Sequence, residues 1–322
     1  MTRPHLLWLS MGYNMEFSHI PVLLNETIDG LNIKEGGTYV DCTLGGAGHS
    51  KVMLQKASIS LIGIDQDITA INVSKERLKD FDKVTFVNDN FKNFSNILDD
   101  LNINKVDGIL ADLGVSSHQI DTASRGFSFR FDAPLDMRMN SDAPLSAADV
   151  VNNYSEADLK RIIKDFGEDR FASSIARKIV GERKKQPILT TKQLESIILS
   201  AVPKYKGNDG SSNVQRTFQA IRIEVNHELD GLKEVIKEMA DRLNPGGRLA
   251  IISFHSLEDR IVKHTFRELA TGCTCPSDFP ICVCGNKPKV KIITNHPITA
   301  TEEELKINRR SSSAKLRVVE KL

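Results

Sequence analysis

The segment Thr38-Tyr-Val-Asp-Cys-Thr-Leu-Gly-Gly-Ala-Gly-His-Ser50 runs an apolar strand directly into a glycine turn and then into a stretch of helical character. Glycines in such a turn let the backbone adopt positive φ and come close to a ligand. A helix is expected from about His49, with Val52, Met53 and Leu54 turned to the core. Downstream the alternation repeats. Ser60-Leu-Ile-Gly-Ile64 reads as a second strand ending at Asp65, followed by a helix from Ala70 to Leu78. Val84 to Val87 gives a third strand, and Val106 to Ala111 a fourth that ends at Asp112. Short apolar strands alternating with helices predict an α/β fold, a doubly wound parallel sheet covered on both faces.

The turn and its partner acid narrow the ligand. Asp65 follows Gly45 by twenty positions, where it is expected to accept hydrogen bonds from both hydroxyls of a ribose. A dinucleotide turn needs a third glycine for close helix packing, but Gly46-Ala-Gly-His-Ser-Lys51 has lysine there. That argues against a nicotinamide-dependent oxidoreductase. S-adenosyl-L-methionine has no pyrophosphate and needs only the turn and the acid. Val87-Asn-Asp-Asn-Phe91 sets an aromatic ring and polar groups where an adenine would lie. Leu243-Asn-Pro-Gly-Gly-Arg-Leu249 is the helix–turn–strand expected before the fifth strand of a class I (Rossmann-like) methyltransferase.

Between about Gly126 and Asn213 the rhythm breaks. No buried strand is evident there, and helices are expected at Leu145 to Val151, Glu156 to Phe166, Phe171 to Arg183 and Thr191 to Ala201. The α/β pattern resumes with helices from Thr217 to His227 and Leu229 to Leu243, then a strand from Arg248 to Ser253. The organisation predicted is a discontinuous methyltransferase domain, 15–125 and 214–322, interrupted by an inserted all-helical domain, 126–213. Residues 1–14 read as an N-terminal extension, with Met15 as the natural start.

Composition sets limits. With 43 basic and 42 acidic residues the net charge is +1, so nucleic-acid binding has to come from local patches. The apolar run Leu6 to Leu9 is shorter than a signal-peptide core, and nothing approaches the ~20 apolar residues of a membrane span. Cys42 alone plus a cluster of four late cysteines is no secreted disulfide framework, so a reducing, cytoplasmic compartment is expected.

Longer strings carry a family resemblance. They are His19-Ile-Pro-Val-Leu-Leu-Asn-Glu26, Asp112-Leu-Gly-Val-Ser-Ser117, Arg125-Gly-Phe-Ser-Phe129 and Pro134-Leu-Asp-Met-Arg-Met139. Arg216-Thr-Phe-Gln-Ala-Ile-Arg222 and Ser253-Phe-His-Ser-Leu-Glu-Asp-Arg260 join them. Over about residues 17–322 the chain resembles the RsmH (MraW) family, cytosine-N4 methyltransferases of small-subunit (16S) ribosomal RNA. The resemblance implies a class I fold with a helical insertion, ribosomal RNA of the decoding region as partner, and no membrane. It also implies cofactor contacts at Ala47, Gly48, His49, Asp65, Phe91, Asp112 and Gln119, beside the turn glycine Gly45. His118 departs from the pattern, since many relatives have proline there, but Gln119 stays in register.

Cytosine N4 is a poor nucleophile because its lone pair is delocalised into the ring. An enzyme must align it and accept a hydrogen bond from the amine. Many amino-methyltransferases use an Asp or Asn followed by Pro-Pro-aromatic after the fourth strand. Asp112-Leu-Gly-Val has the acid without the prolines or the aromatic. Asp112, or Ser116 with its neighbour Ser117, is the expected acceptor; the competing reading, in which Asp112 only holds the methionine end of the cofactor, stays open. Phe127, Phe129 and Phe254 stand as stacking partners for an unpaired base or as core residues. His255 reads as a proton shuttle or a structural hydrogen-bonding group.

Phosphate contacts or solvated faces are the two readings of the basic residues. In the insertion these are Lys160, Arg161, Lys164, Arg170, Arg177, Lys178, Arg183, Lys184 and Lys185. Arg216, Arg222, Arg309, Arg310, Lys315 and Arg317 follow. Cys273, Cys275, Cys282 and Cys284 form C-x-C, six residues, C-x-C, tighter than the usual zinc knuckle. No metal is assigned, and a zinc site and a metal-free loop both stay open. The alternative to an enzyme is a non-catalytic RNA-binding ribosome-assembly factor that retains affinity for S-adenosyl-L-methionine. The sequence sets no oligomeric state.

Overall fold

The computed structural model describes residues 21–203, 209–273, 275 and 284–322, so the extension expected at 1–14 lies outside the described residues. Seven strands form one sheet: β1 Thr38–Asp41, β2 Ser60–Asp65, β3 Val84–Asn88, β4 Val106–Asp112, β5 Leu243–Ser253, β6 Val290–Ile292 and β7 Lys315–Lys321. Their order is β3-β2-β1-β4-β5-β7-β6. Neighbours from β3 through β5 pair in parallel, and β7 runs antiparallel to both β5 and β6. This is a class I methyltransferase sheet. The chain builds outward from β1 to β3 and then returns to β4, so a crevice opens beyond the carboxyl ends of β1 and β4.

The central strands are buried on both faces, which explains their nearly continuous apolar sequences. Side chains alternate between two cores with the two-residue period of a strand. Val40, Ile62, Ile109 and Leu249 enter one core, and their neighbours Tyr39, Leu61, Leu110 and Ala250 enter the other. Helices α1 Leu24–Leu31, α2 Gly48–Lys56, α3 Ile68–Arg77, α4 Phe94–Asp100 and α5 Ser117–Asp121 accompany the first four strands.

A third core belongs to the insertion. Helices α6 Ala147–Asn153, α7 Glu156–Asp165, α8 Ala172–Arg183, α9 Thr191–Ala201 and α10 Ser211–Asn226 bury Val150, Leu159, Ile162, Ile175, Leu194 and Phe218 together. Three of them start where the sequence offers a hydroxyl. Ser146, Ser155 and Thr190 accept the backbone N–H of Asp149, Asp158 and Gln193 respectively. The chain then completes the sheet domain with α11 Leu232–Asp241, α12 Ser256–Ala270 and α13 Glu302–Ile307.

Some elements depart from expectation. The helix expected at Thr217 begins at Ser211, after Gly210 at φ 87°, so the expected boundary at 213 falls inside α10. Val214, Phe218, Ile221 and Val225 of that helix lie in the insertion's core. β5 begins at Leu243 rather than Arg248, and the Pro-Gly-Gly run lies within it, where its register with β4 shifts between Val106 and Gly108. A bulge tolerates proline in a central strand, and Gly246 takes φ 78° there. Of the tail's basic residues, Lys315 and Arg317 lie in β7, with Leu316, Val318 and Val319 buried, while Arg309 and Arg310 precede it. Among the described residues no helix is long and apolar enough to cross a membrane.

Candidate active site

A cavity of about 460 Å³ lies at the crevice, within the size range of small-molecule sites. Gly45, Gly48, His49, Asp65, Phe91, Asp112, Ser116, Gln119 and His255 all line it. Ala47 is buried, takes φ 54° and starts α2 without a side-chain cap. Its role is to turn the chain. Gly48 must be glycine here, because a Cβ would come within 2.3 Å of the Pro21 ring.

Asp65 ties this turn to β2. Its Oδ2 accepts the Gly45 N–H and its Oδ1 the Asp67 N–H, both at 2.8 Å. Each oxygen keeps a lone pair for a ligand hydroxyl. Two further acids end neighbouring strands: Asp41 on β1, which sequence reading passed over, and Asp112 on β4. Burial pushes Asp41 up to about 6 against hydrogen bonds from Ser50 and Thr43. Burial also raises Asp65 to about 6, against the Asp67 and Gly45 N–H groups, with the charges of Asp67 and Asp41 adding to the rise. Asp112 is pushed well above the ordinary carboxylate range by burial and by Asp41 and Glu258. Its Oδ1 is buried with no hydrogen-bond partner, and its Oδ2 stands 4.0 Å from His49 Nδ1. The His49 Nε2 in turn meets the Val22 carbonyl at 2.9 Å. Asp65 and Asp112 line the cavity with Asp41 buried beside them, a wall that attracts a cation.

A second set of residues fastens the insertion to this wall. Gln119 and Ser116 form a capping box at the start of α5, with the Gln119 Oε1 accepting the Ser116 N–H at 3.0 Å. The Gln119 Nε2 donates to Asp67 at 3.1 Å, so its amide is engaged in positioning. Asp67 also receives Arg125 Nη1 at 2.8 Å, while Arg125 Nη2 donates to the carbonyls of Arg138 and Met139. Against the opposing effect of burial, the Arg125 and Gln119 hydrogen bonds hold the Asp67 carboxyl below its usual range. Asp67 and Arg125 were not singled out as site residues from sequence, although Asp67 lies two positions after Asp65 and Arg125 opens a quoted motif. Gly126 permits the junction: it sits at φ 69°, and a Cβ would come within 2.3 Å of the Pro134 carbonyl.

The opposite wall is α10, which carries two stripes at helical spacing. Val214, Phe218, Ile221 and Val225 face the insertion's core, whereas Gln215, Gln219, Arg222 and Asn226 line the cavity. Arg222 forks onto Glu228 with two bonds of 2.8 Å and is only 16% exposed, which removes it from the phosphate contacts. His255 caps α12 in a box with Glu258, and its side chain is 5% exposed. Such burial favours the structural reading over a shuttle to solvent. Burial works against the Glu258 charge, but His255, then Arg222 and the Phe254 N–H, hold its carboxyl below the usual range.

Other expectations sort by burial. Phe127 and Phe129 pack on the insertion's core, and Phe129 meets Phe218 edge-on at 5.3 Å, so they are packing residues. Phe254 does line the cavity. Arg317 is buried against Asp259 at 2.6 Å, Lys315 reaches the same acid at 3.3 Å, and Arg183 donates to the Val151 and Tyr154 carbonyls. These three are structural as well. Arg309 and Arg130 are exposed and stand at the cavity, and Arg310 pairs with Asp121 beside them.

Among the described residues two groups have metal-ligand character. Glu228, His255 and Glu258 bring one ligand atom each within 4.8 Å of the others, but Arg222 already occupies Glu228 and its guanidinium would repel a cation. The other group is Cys273, Cys275 and Cys284. Cys282 lies outside the described residues.

Comparison with known proteins adds the following. Residues 16–322 match the MraW methylase family. The ribosomal RNA small subunit methyltransferase H of Clostridium botulinum (strain 657 / Type Ba4) is 59% identical over 310 residues, covering 96% of this chain and 100% of that protein. The protein of the same name from Lachnospira eligens is 56% identical over 315 residues, covering 97% and 100%. A solved rRNA methylase from Streptococcus thermophilus aligns over 95% of this chain and 99% of its own at 12% identity and a TM-score of 0.40, a likeness too slight to carry an argument.

Proposed function

The chain belongs to the MraW methylase family, and from that membership we infer that it transfers a methyl group from S-adenosyl-L-methionine to the exocyclic N4 of a cytidine in small-subunit ribosomal RNA. On this reading the target lies in the decoding region of 16S RNA, and the enzyme works in the cytoplasm, where that RNA is.

The observation that carries the reading is the row of buried acids beside the glycine turn, with one Asp112 oxygen left without a partner. S-adenosyl-L-methionine supplies a methyl group on a positively charged sulfur. A cationic ligand restores the ionised state that burial disfavours at Asp41, Asp65 and Asp112, so the site is complementary to it in charge. The free lone pairs of Asp65 suit two ribose hydroxyls, and Phe91 offers an aromatic edge for the adenine.

For the base, the Asp112 carboxyl is the group we assign to accept the N4 hydrogen bond. The side chain is a quarter exposed at the cavity, so Oδ2 is the oxygen open to the amine, and its raised pKa makes it a better proton acceptor than an ordinary carboxylate. Phe254 supplies a stacking face. Arg130 and Arg309 stand where phosphates of a splayed strand would pass.

Small subunits lacking the modification, incubated with the protein and methyl-labelled cofactor, should yield label in N4-methylcytidine on nucleoside mass spectrometry. Absence of label despite cofactor binding would favour the assembly-factor reading. Asp112→Asn should lower turnover by about 10²–10³-fold while cofactor affinity stays within about twofold. Loss of both together would reduce Asp112 to a cofactor ligand.

A further inference from the structure

The loop between α12 and β6 plays no part in the methyl-transfer reading, yet three of its thiols converge. Cys273, Cys275 and Cys284 have sulfurs within 4.8 Å of one another. The Cys284 and Cys273 sulfurs are 3.7 Å apart. That is far wider than a disulfide bond of ~2.05 Å. It matches the separation of about 3.8 Å that two sulfurs adopt when each is ~2.3 Å from one tetrahedral zinc ion.

The backbone supports thiolates at these positions. The Cys284 N–H points to the Cys275 sulfur at 3.3 Å, and the Asn286 N–H points to the Cys284 sulfur at 3.5 Å. Hydrogen bonds to a charged form favour that form, and the thiolate is the form that ligates metal. The base of the loop is fastened independently. Asn286 Nδ2 donates to the carbonyls of Thr271 and Gly272 at 3.2 and 2.8 Å, and the Lys289 N–H donates to the Leu269 carbonyl at 2.8 Å. Both ends are therefore held while Cys273 and Cys284 lie exposed.

We propose that Cys273, Cys275 and Cys284 bind one zinc ion, which ties the chain leaving α12 to the chain that leads into β6. Soft sulfur donors select zinc over the hard cations magnesium and calcium. The sequence places a fourth thiol, Cys282, two residues before Cys284, outside the described residues. The site is structural. α12 runs 15 residues from its cap at His255, roughly 22 Å at 1.5 Å per residue, so the metal stands well away from the reacting base.

The test uses the full chain, purified reduced and without chelator. Elemental analysis should find about one zinc per chain, and cobalt exchanged for it should show sulfur-to-cobalt charge-transfer absorption. Cys273→Ser and Cys284→Ser should each lose the bound metal while keeping cofactor affinity, which reports that the sheet domain is folded. Should a variant fail to fold, the cobalt spectrum of the unaltered chain still decides. Three results would overturn the proposal: zinc far below one per chain after equilibration with the metal, unchanged zinc content in folded Cys284→Ser, or a Cys273–Cys284 disulfide in protein alkylated directly in the lysate.

Discussion

Helices α6, α7 and α9 of the insertion and helices α1 and α2 beside the cofactor turn begin in opposite ways. In the insertion, α6, α7 and α9 each start with extended backbone and a hydroxyl that accepts a first-turn N–H. α8, which has no such cap, has the Asp169 carboxylate accepting the Phe171 N–H at 2.8 Å. Beside the cavity, α1 and α2 start at Leu23 and Ala47, both left-handed at φ 50° and 54°, with no side-chain cap. A hydroxyl cap stabilises by about 1 kcal/mol, whereas a left-handed non-glycine residue costs about 1–3 kcal/mol. The buried acids of raised pKa lie on the same side as the strain. Unfavourable terms thus gather at Leu23, Ala47 and the acids beside them, where a ligand can offset them.

The junction between the two regions should give the largest effect. Arg125→Ala leaves Asp67 buried without its cation and two carbonyls without their donor, and should lower unfolding free energy by about 3 kcal/mol in urea titrations. A loss below about 1 kcal/mol would mean that the regions are held together elsewhere. Asp65→Ala comes next. Cofactor affinity measured by calorimetry should fall about 100-fold, roughly 2.7 kcal/mol, while apo stability changes by less than about 1 kcal/mol. Equal losses in both would break the contrast between strained site and stable frame.

Acidity sharpens the same contrast. Asp41 and Asp65 are raised from 3.8 to about 6 in the folded chain, so the native state holds these protons more tightly than the unfolded state. Their contribution to stability is full below about 4 and is lost as pH rises through about 6. Between pH 7 and pH 5 the apo chain should gain about 2–3 kcal/mol from the pair, and cofactor affinity should fall over the same interval. Asp41→Asn with Asp65→Asn should flatten the stability profile; an unchanged slope would assign it to other groups. The smallest effect is expected at Thr190→Ala, about 1 kcal/mol of stability with cofactor affinity untouched.

What the sequence disclosed follows the range of the interactions. The glycine turn, Asp65 and the strands up to β4 are local patterns, and each appears within a few residues of its expected place. The Ser and Thr caps likewise announce the insertion's helices. By contrast β7 is placed by pairing with β5 and β6, and Lys-Leu-Arg-Val-Val-Glu-Lys321 gives no local sign of lying inside a sheet. Arg317 looked like a phosphate contact because its partner Asp259 is 58 residues away. Asp41 was legible in principle, since an acid ending an apolar strand beside a glycine turn is the same signal that identified Asp65. Asp67 and Arg125, at |i−j| of 58, needed the structure.

The paired stripes of α10 bear on how this molecule can be modified. A deletion that removes the insertion would expose Val214, Phe218, Ile221 and Val225 to water and unseat the residues one position along that wall the cavity. The insertion is therefore no detachable module, and a minimal fragment trimmed back to the sheet would lose its binding chamber along with its appendage. Any chimera built to exchange substrate preference with a relative has to carry this helix across whole, with both neighbours it was shaped against.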